Sequence, residues 1–354
     1  MTKEFFNDQI LNWYSRNKRD LPWRQTENPY HIWLSEIILQ QTRVNQGLPY
    51  YLKFVEEYPS VHDLANADER EVLRVWQGLG YYSRARNLHK CAKIISENHN
   101  GIFPNNFKEL LNLPGIGNYT AAAIASIAFG EKVAVVDGNV YRVLSRIYGI
   151  ENDISSGKEQ KVFQEKASIL ISEKYPADFN QSMMEFGALQ CVPKNPDCSI
   201  CPFHDQCFAN KNEMQAQLPV KIKKVKVRKR HFHYFVFEMN GRLALRERLG
   251  NDIWRGLYDF HLIENEKPSS WEELSSSDVI EMLKNDILSV DESVEYKHIL
   301  THQRIFATFH TIKLKDKTAM QKLDDFGLAF YTVDEVLDLP KPVLVSTYLN
   351  QSFF

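Results

Sequence analysis

The sequence predicts two domains of different class, an all-α first part ending near residue 218 and an α+β second part spanning 231–354, joined by a basic linker at 219–230. Three observations carry this. A chain of 354 residues with 44% hydrophobic residues is long enough for two ordinary cores. The spacing of apolar residues changes near Arg230, from three- and four-residue intervals to short alternating or β-branched runs. Charge changes sign at the same place: residues 1–230 hold 30 Lys+Arg against 25 Asp+Glu, whereas residues 231–354 hold 13 against 20. A polyanion would meet the first part more readily than the second.

Taken in order, YHIWLSEIILQQT, EVLRVWQGL, SRARNLHKCAKIISEN, YTAAAIASIAFG, NVYRVLSRIYGI and KVFQEKASILISEKY each place apolar residues on one helical face. The linker PVKIKKVKVRKR has seven basic residues in its last ten, which suits either a solvated connection or contact with phosphates. Beyond it, HFHYFVFEM, RLALRER and THQRIFATFHTIKL have strand texture, with helical SSSDVIEMLKNDIL between them. The charged N-terminus does not resemble a signal peptide, and no apolar segment is long enough to span a membrane, so the expectation is a cytosolic protein.

Four short stretches carry chemistry. In LPGIG (113–117), Pro114 stops one helix while Gly115 and Gly117 allow the backbone to approach a phosphate presented to the next helix's N-terminus. This is the logic of a helix-hairpin-helix, which grips a nucleic-acid backbone without reading bases. In VDGNV, Asp137 stands where an N-cap carboxylate would, held ionised by N–H bonds and able to stabilise a developing cation. Glu36 sits among Leu34, Ile37, Ile38 and Leu39. Facing a pocket, it would have a raised pKa and retain a proton near neutrality, as a general acid requires. An ionised and a protonated carboxylate together suit cleavage of a glycosidic bond. Finally, Cys191, Cys198, Cys201 and Cys207 give C-x6-C-x2-C-x5-C, which suits an iron–sulfur cluster, with zinc as the alternative. Cys91 stands alone in a helix and reads as a packing residue.

LPGIG, VDGNV and the cysteine spacing together resemble the helix-hairpin-helix DNA glycosylases with an iron–sulfur cluster, the group that includes endonuclease III. Within that group the chain is similar to the adenine DNA glycosylases of the MutY type, near-continuously from LPWR (21–24) to the cysteines. The resemblance implies a glycosylase domain with a 4Fe–4S cluster on the four cysteines, followed by a Nudix-like domain that recognises 8-oxoguanine. It implies roles for Glu36 in protonating adenine N7, for Asp137 in stabilising the sugar cation, and for Tyr119 and Asn139 in supporting that centre. Leu21, Trp23, Arg24 and Glu185 would surround the extruded adenine, and Gln41 and Tyr81 would fill and wedge the duplex. In endonuclease III-like enzymes the position of Tyr119 holds a lysine that forms a Schiff base. Tyr119 implies instead a monofunctional enzyme that uses water.

RERLGNDIWRGLYDF fits the family's Nudix-like pattern, with Ile253 before Trp254, while the metal-binding REx2E helix of Nudix hydrolases is absent. The family's Phe-Ser-His loop for 8-oxoguanine corresponds to Leu300-Thr301-His302. The implied partner is double-stranded DNA containing adenine opposite 8-oxoguanine or guanine, bound by a monomer associated with a bacterial nucleoid. A glycosylase for another mismatch, such as thymine opposite guanine, and a non-catalytic iron–sulfur DNA-binding protein are the alternatives.

Overall fold

Helix-forming spacing in the first part is realised by helices whose ends follow local chemistry. The computed structural model describes residues 1–222, 226–315 and 317–354. Helix α1 (Lys3–Asn17) starts at Thr2, whose side chain accepts a hydrogen bond from the Phe5 amide. α2 (Pro29–Leu39) starts at Asn28, with Pro29 in the first turn where no N–H is needed. α3 (Asn118–Phe129) and α4 (Gly138–Tyr148) both end on glycines in the left-handed conformation, Gly130 and Gly149. At Gly149 a Cβ would also meet the Phe208 ring at 2.7 Å, so space and backbone angle both demand glycine. α5 (Pro176–Leu189) packs in the same core, where Phe6, Phe163, Phe179, Phe186 and Phe203 are buried together and Phe6 stacks on Phe203 at 5.0 Å. The helix expected to run through Tyr175 stops at Leu170, because Ile171 turns into extended backbone and buries its side chain.

The second part is built on an eight-stranded mixed sheet: β1 (Arg228–Met239), β2 (Arg242–Glu247), β3 (Tyr258–Asp259), β4 (His261–Asn265), β5 (Ile287–Glu292), β6 (Tyr296–Ile299), β7 (Gln303–Leu314) and β8 (Ala329–Thr332). β1 and β7 pair in parallel through its centre, and every other pairing is antiparallel. Both faces of β1 are covered, so its core run FHYFVF is buried throughout, His233 included; Phe235 and Phe237 join Leu283, Ile312 and Leu323 in one cluster. Elsewhere in the sheet Phe309 stacks on Tyr348 of α6 (Val343–Ser352), with ring centroids 3.9 Å apart. The stretch SSSDVIEMLKNDIL is helical only over Asp278–Leu283, and Ile287 and Leu288 enter β5.

The chain divides into two compact units, Met1–Asn66 with Asn87–Lys223, and Ala67–Arg86 with Lys224–Phe354. This differs from a single break at the linker. Residues 67–86 cluster with the second unit because they dock on it: Gln77 accepts a hydrogen bond from the Lys341 amide at 2.9 Å, and Arg70 lies over the Tyr258 ring. The linker also ends earlier than its composition suggests, since β1 starts at Arg228. Arg230 is 4% exposed and is held by Asp252 and Glu264, so it is a sheet residue with its charge already satisfied rather than a phosphate contact. Residues 223–225 of the linker lie outside the described residues.

Candidate active site and cysteine pocket

The helical unit has a cleft of about 560 Å³ lined by side chains from LPWR, the Glu36 helix, VDGNV and the stretch around Glu185, while the LPGIG turn and the four clustered cysteines lie outside its lining. Glu36, Asp137, Tyr119 and Asn139 line it, as do Leu21, Trp23, Arg24 and Glu185. Glu36 belongs to α2, which is buried along almost its whole length, so a carboxyl group there has nowhere to go but the cleft wall. Burial pushes its pKa up to about 7; neighbouring Asp137 adds to the rise, while Tyr119 and Arg24 pull against it. At neutral pH the carboxyl group is therefore shared about equally between its protonated and ionised forms.

Asp137 caps α4, accepting from the Val140 amide and from Asn139 Nδ2, both at 2.8 Å. These bonds were expected to hold its pKa low. Burial is the larger influence and raises it, with the two hydrogen bonds and the Arg142 charge opposing. Arg142 is a site residue that the sequence did not announce. Its Nη2 donates to Asn139 Oδ1 at 2.8 Å and to the Gly187 carbonyl at 2.7 Å, and its Nε to the Cys191 carbonyl at 2.7 Å. With the Asn139 oxygen engaged by Arg142, its amide nitrogen must face Asp137.

Glu185 on α5 is 1% exposed and clamped by two arginines. Arg24 binds both its oxygens at 2.8 Å, and Arg19 binds them through Nε at 2.9 Å and Nη2 at 2.6 Å, with the Arg19 amide adding a further bond. Despite the cost of burial, these bonds bring its pKa down to about 2. Arg19 was missed because it precedes LPWR in a run of charges, RNKRD, that reads as solvated surface. Trp23 sits on a short 3-10 turn (Pro22–Arg24), edge-on to Tyr51 at 5.1 Å.

The LPGIG turn leads into α3 at Asn118. Gly115 has φ +75°, and a Cβ there would lie 2.8 Å from Asn87 Cβ, so glycine is required twice over. Gly117 is exposed with open space around it and leaves the first amides of α3 without a side-chain cap, as an anion site needs.

Residues 34–168 match the model of the HhH-GPD superfamily base excision DNA repair proteins, and residues 233–351 match that of the NUDIX domain. Adenine DNA glycosylase of Buchnera aphidicola subsp. Baizongia pistaciae is 36% identical over 309 residues, covering 86% of this chain and 85% of the relative. The adenine DNA glycosylase of Homo sapiens is 43% identical over 222 residues, 60% of this chain and 41% of the relative. The chain belongs to the adenine DNA glycosylase family. Its helical unit is also similar to a thermostable thymine-DNA glycosylase (32% identity, TM-score 0.54, covering 59% of this chain and 97% of the other). A trapped endonuclease III–DNA covalent intermediate is similar as well (25% identity, TM-score 0.52, covering 60% and 99%). The fold is thus a helical HhH-GPD domain followed by a Nudix-like domain.

Within an adenine DNA glycosylase family member, the lining of the cleft acquires a further meaning. It contains Arg19, Arg24, Arg43 and Arg142, and among the described residues lining it none is a lysine. Tyr119 donates its hydroxyl proton to Met184 Sδ at 3.3 Å and is within side-chain hydrogen-bonding reach of Glu36. Burial and the two nearby carboxylates push its own pKa well above the ordinary range, so it stays neutral.

Cys191, Cys198, Cys201 and Cys207 line one small pocket. Among the described residues no three His, Cys, Asp or Glu side chains converge closely enough to hold a single metal ion. The loop is organised by Arg146, 2% exposed, which donates to the carbonyls of Val192, Pro193, Gln215 and Leu218 and approaches Cys191 Sγ at 3.5 Å. Arg142 and Arg146 are one turn apart on α4 and both buried, a pairing hidden in NVYRVLSR by the usual expectation that arginines face solvent. Cys91 is fully buried in the helix Ser83–Asn98, where burial pushes its thiol up to about 12, as befits a packing residue.

Gln41 in the first unit and Tyr81 in the second both have left-handed backbones, with φ of 55° and 48°, uncommon for non-glycine residues. Tyr81 is 45% exposed. Leu300, Thr301 and His302 form the turn between β6 and β7, closed by a bond from the Leu300 amide to the Gln303 carbonyl at 2.8 Å. Thr301 and His302 are exposed, and Thr301 Oγ1 lies 2.5 Å from the Tyr81 hydroxyl. Trp254 too is left-handed, at φ 64°, and sets its ring edge-on between Phe232 and His298, behind this turn's strand.

Proposed function

We propose that the chain is a monofunctional glycosylase that hydrolyses the N-glycosidic bond of adenine opposite 8-oxoguanine or guanine in duplex DNA. The observation that carries the reading is the proton-retaining Glu36 beside Asp137 and Tyr119 in one cleft. An extruded adenine would enter this cleft, since its reacting atoms are inaccessible in the stack. Glu36 gives its proton to adenine N7. The C1′–N9 bond then breaks, its electrons leaving with the base, and the resulting sugar cation is stabilised by Asp137. Water adds at C1′ and loses a proton to Glu36, leaving an abasic site with the strand intact. No lysine lines the cleft among the described residues to form a Schiff base, which supports water as the nucleophile.

Glu185, fixed by Arg19 and Arg24, and Leu21 and Trp23 would border the base. Gly115 and Gly117 would approach the DNA backbone, Gln41 and Tyr81 the duplex interior, and the Leu300-Thr301-His302 turn the opposing 8-oxoguanine. Four thiols around one pocket fit a 4Fe–4S cluster, held by Cys191, Cys198, Cys201 and Cys207; when bound it would cross-link their loop and supply no step of the hydrolysis. The thymine-DNA glycosylase likeness covers the helical unit alone, and the Nudix-like domain favours adenine as substrate.

Single-turnover reactions on duplexes carrying adenine opposite 8-oxoguanine, guanine or thymine, quenched with and without alkali, test this. Adenine release opposite 8-oxoguanine with strand breaks only after alkali is expected. Breaks without alkali would reject the monofunctional mechanism, and absence of release would reject the substrate.

A further inference from the structure

Tyr119 has one hydroxyl proton and two acceptors within reach, the Glu36 carboxyl group and the Met184 sulfur. In the structure the proton goes to sulfur, from the first turn of α3 to α5, at 3.3 Å. The two side chains pack on the same small cluster of Ala122, Ala123 and Val135, so their approach is fixed by packing. Met184 is also the residue before Glu185, whose clamp by two arginines anchors that turn of α5.

A thioether is a weak acceptor and offers no proton of its own. With the hydroxyl proton directed at sulfur, the lone pairs of the Tyr119 oxygen are free for a donor, and a protonated Glu36 can donate to them. After Glu36 loses its proton, rotation of the hydroxyl lets Tyr119 donate to the new carboxylate. We infer that Met184 is a positioning residue, whose sulfur accepts the Tyr119 proton so that Tyr119 can accept from Glu36 before proton transfer and donate to it afterwards. The inference rests on the proposed function for its catalytic meaning, but its chemistry belongs to the protein alone. The charged and titratable groups facing Glu36 are Asp137 at the start of α4, Arg24 on the 3-10 turn and Tyr119 itself; Met184 adds no charge to this set. Its influence must therefore pass through Tyr119.

The test is a carboxyl ¹³C NMR titration of the full chain carrying labelled glutamate, with the Glu36 signal assigned by its loss in Glu36→Gln. Met184→Leu, similar in volume but without an acceptor, is expected to lower the Glu36 pKa by about half a unit or more. In a Tyr119→Phe background the same substitution should leave it unchanged, and Met184→Gln, which restores an acceptor, should lie nearer wild type than Met184→Leu. An unmoved pKa in Met184→Leu, or an equal shift with and without the Tyr119 hydroxyl, would overturn the inference. The Gln variant keeps the test decisive if the Leu variant does not fold: a Glu36 pKa at the wild-type value is expected, raised by adding Tyr119→Phe as much as in wild type because the hydroxyl pulls that pKa down, and a Gln variant insensitive to loss of the hydroxyl overturns the inference. Because no DNA is needed, a wild type unable to release adenine would reject the proposed function while leaving this result to be decided by the titration.

Discussion

Glu36 and Glu185 are the same residue type, 8% and 1% exposed, on two helices lining one cleft, yet one is held near pKa 7 and the other near 2. Burial acts on both in the same direction. The difference lies in partners: Glu185 has two arginines on its oxygens, whereas Glu36 feels Arg24 only at a distance and has the like-charged Asp137 nearby. One wall of the cleft is thus fixed and ionised, and the other is left able to exchange a proton. What separates a scaffold carboxylate from a chemical one here is the placement of two guanidinium groups.

The largest break in this symmetry comes from removing the proposed proton donor. Glu36→Gln should slow single-turnover adenine release by about 10³-fold while duplex binding, read by gel shift, persists. Next in size, Arg24→Met leaves Glu185 buried with half its clamp, and should cost about 3 kcal/mol of stability in urea denaturation. A third test uses the opposite signs of the two shifts. Glu36 has a folded pKa above its unfolded one, so its stabilisation is full below about 4.5 and is lost as pH rises through about 7. Relative to wild type, Glu36→Gln should gain about 2 kcal/mol between pH 5 and 8. Glu185 has a depressed pKa, so its contribution is present above about 4.5 and disappears as pH falls towards 2; Glu185→Gln should therefore be less stable than wild type at neutrality and approach it in acid. The smallest effect is expected outside the cleft: Thr301→Val removes one exposed hydrogen bond to Tyr81 and, with this turn in its proposed role against 8-oxoguanine, should reduce discrimination of 8-oxoguanine from guanine by about fivefold.

Much of this site is legible from sequence because its chemistry needs short local patterns. The LPGIG turn, the capping Asp137 and the buried setting of Glu36 each follow from a few adjacent residues. Arg19, Arg142 and Arg146 were not legible, since their roles depend on partners 166, 45 and up to 72 residues away in the chain. The same limit explains Asp137, whose capping bonds are local but whose burial is set by the whole cleft. In the second unit the alternation of β1 and β7 announced strands, but their parallel pairing and the docking of residues 67–86 rest on long-range contacts that no local pattern encodes.

The most direct test of the central claim is the pH dependence of single-turnover adenine release on duplex DNA with adenine opposite 8-oxoguanine. If Glu36 supplies the proton, the rate should fall above an alkaline limb near pH 7, and that limb should vanish with the activity in Glu36→Gln. A rate that stays level from pH 6 to 9, or a Glu36→Gln variant with the wild-type rate, would contradict the account.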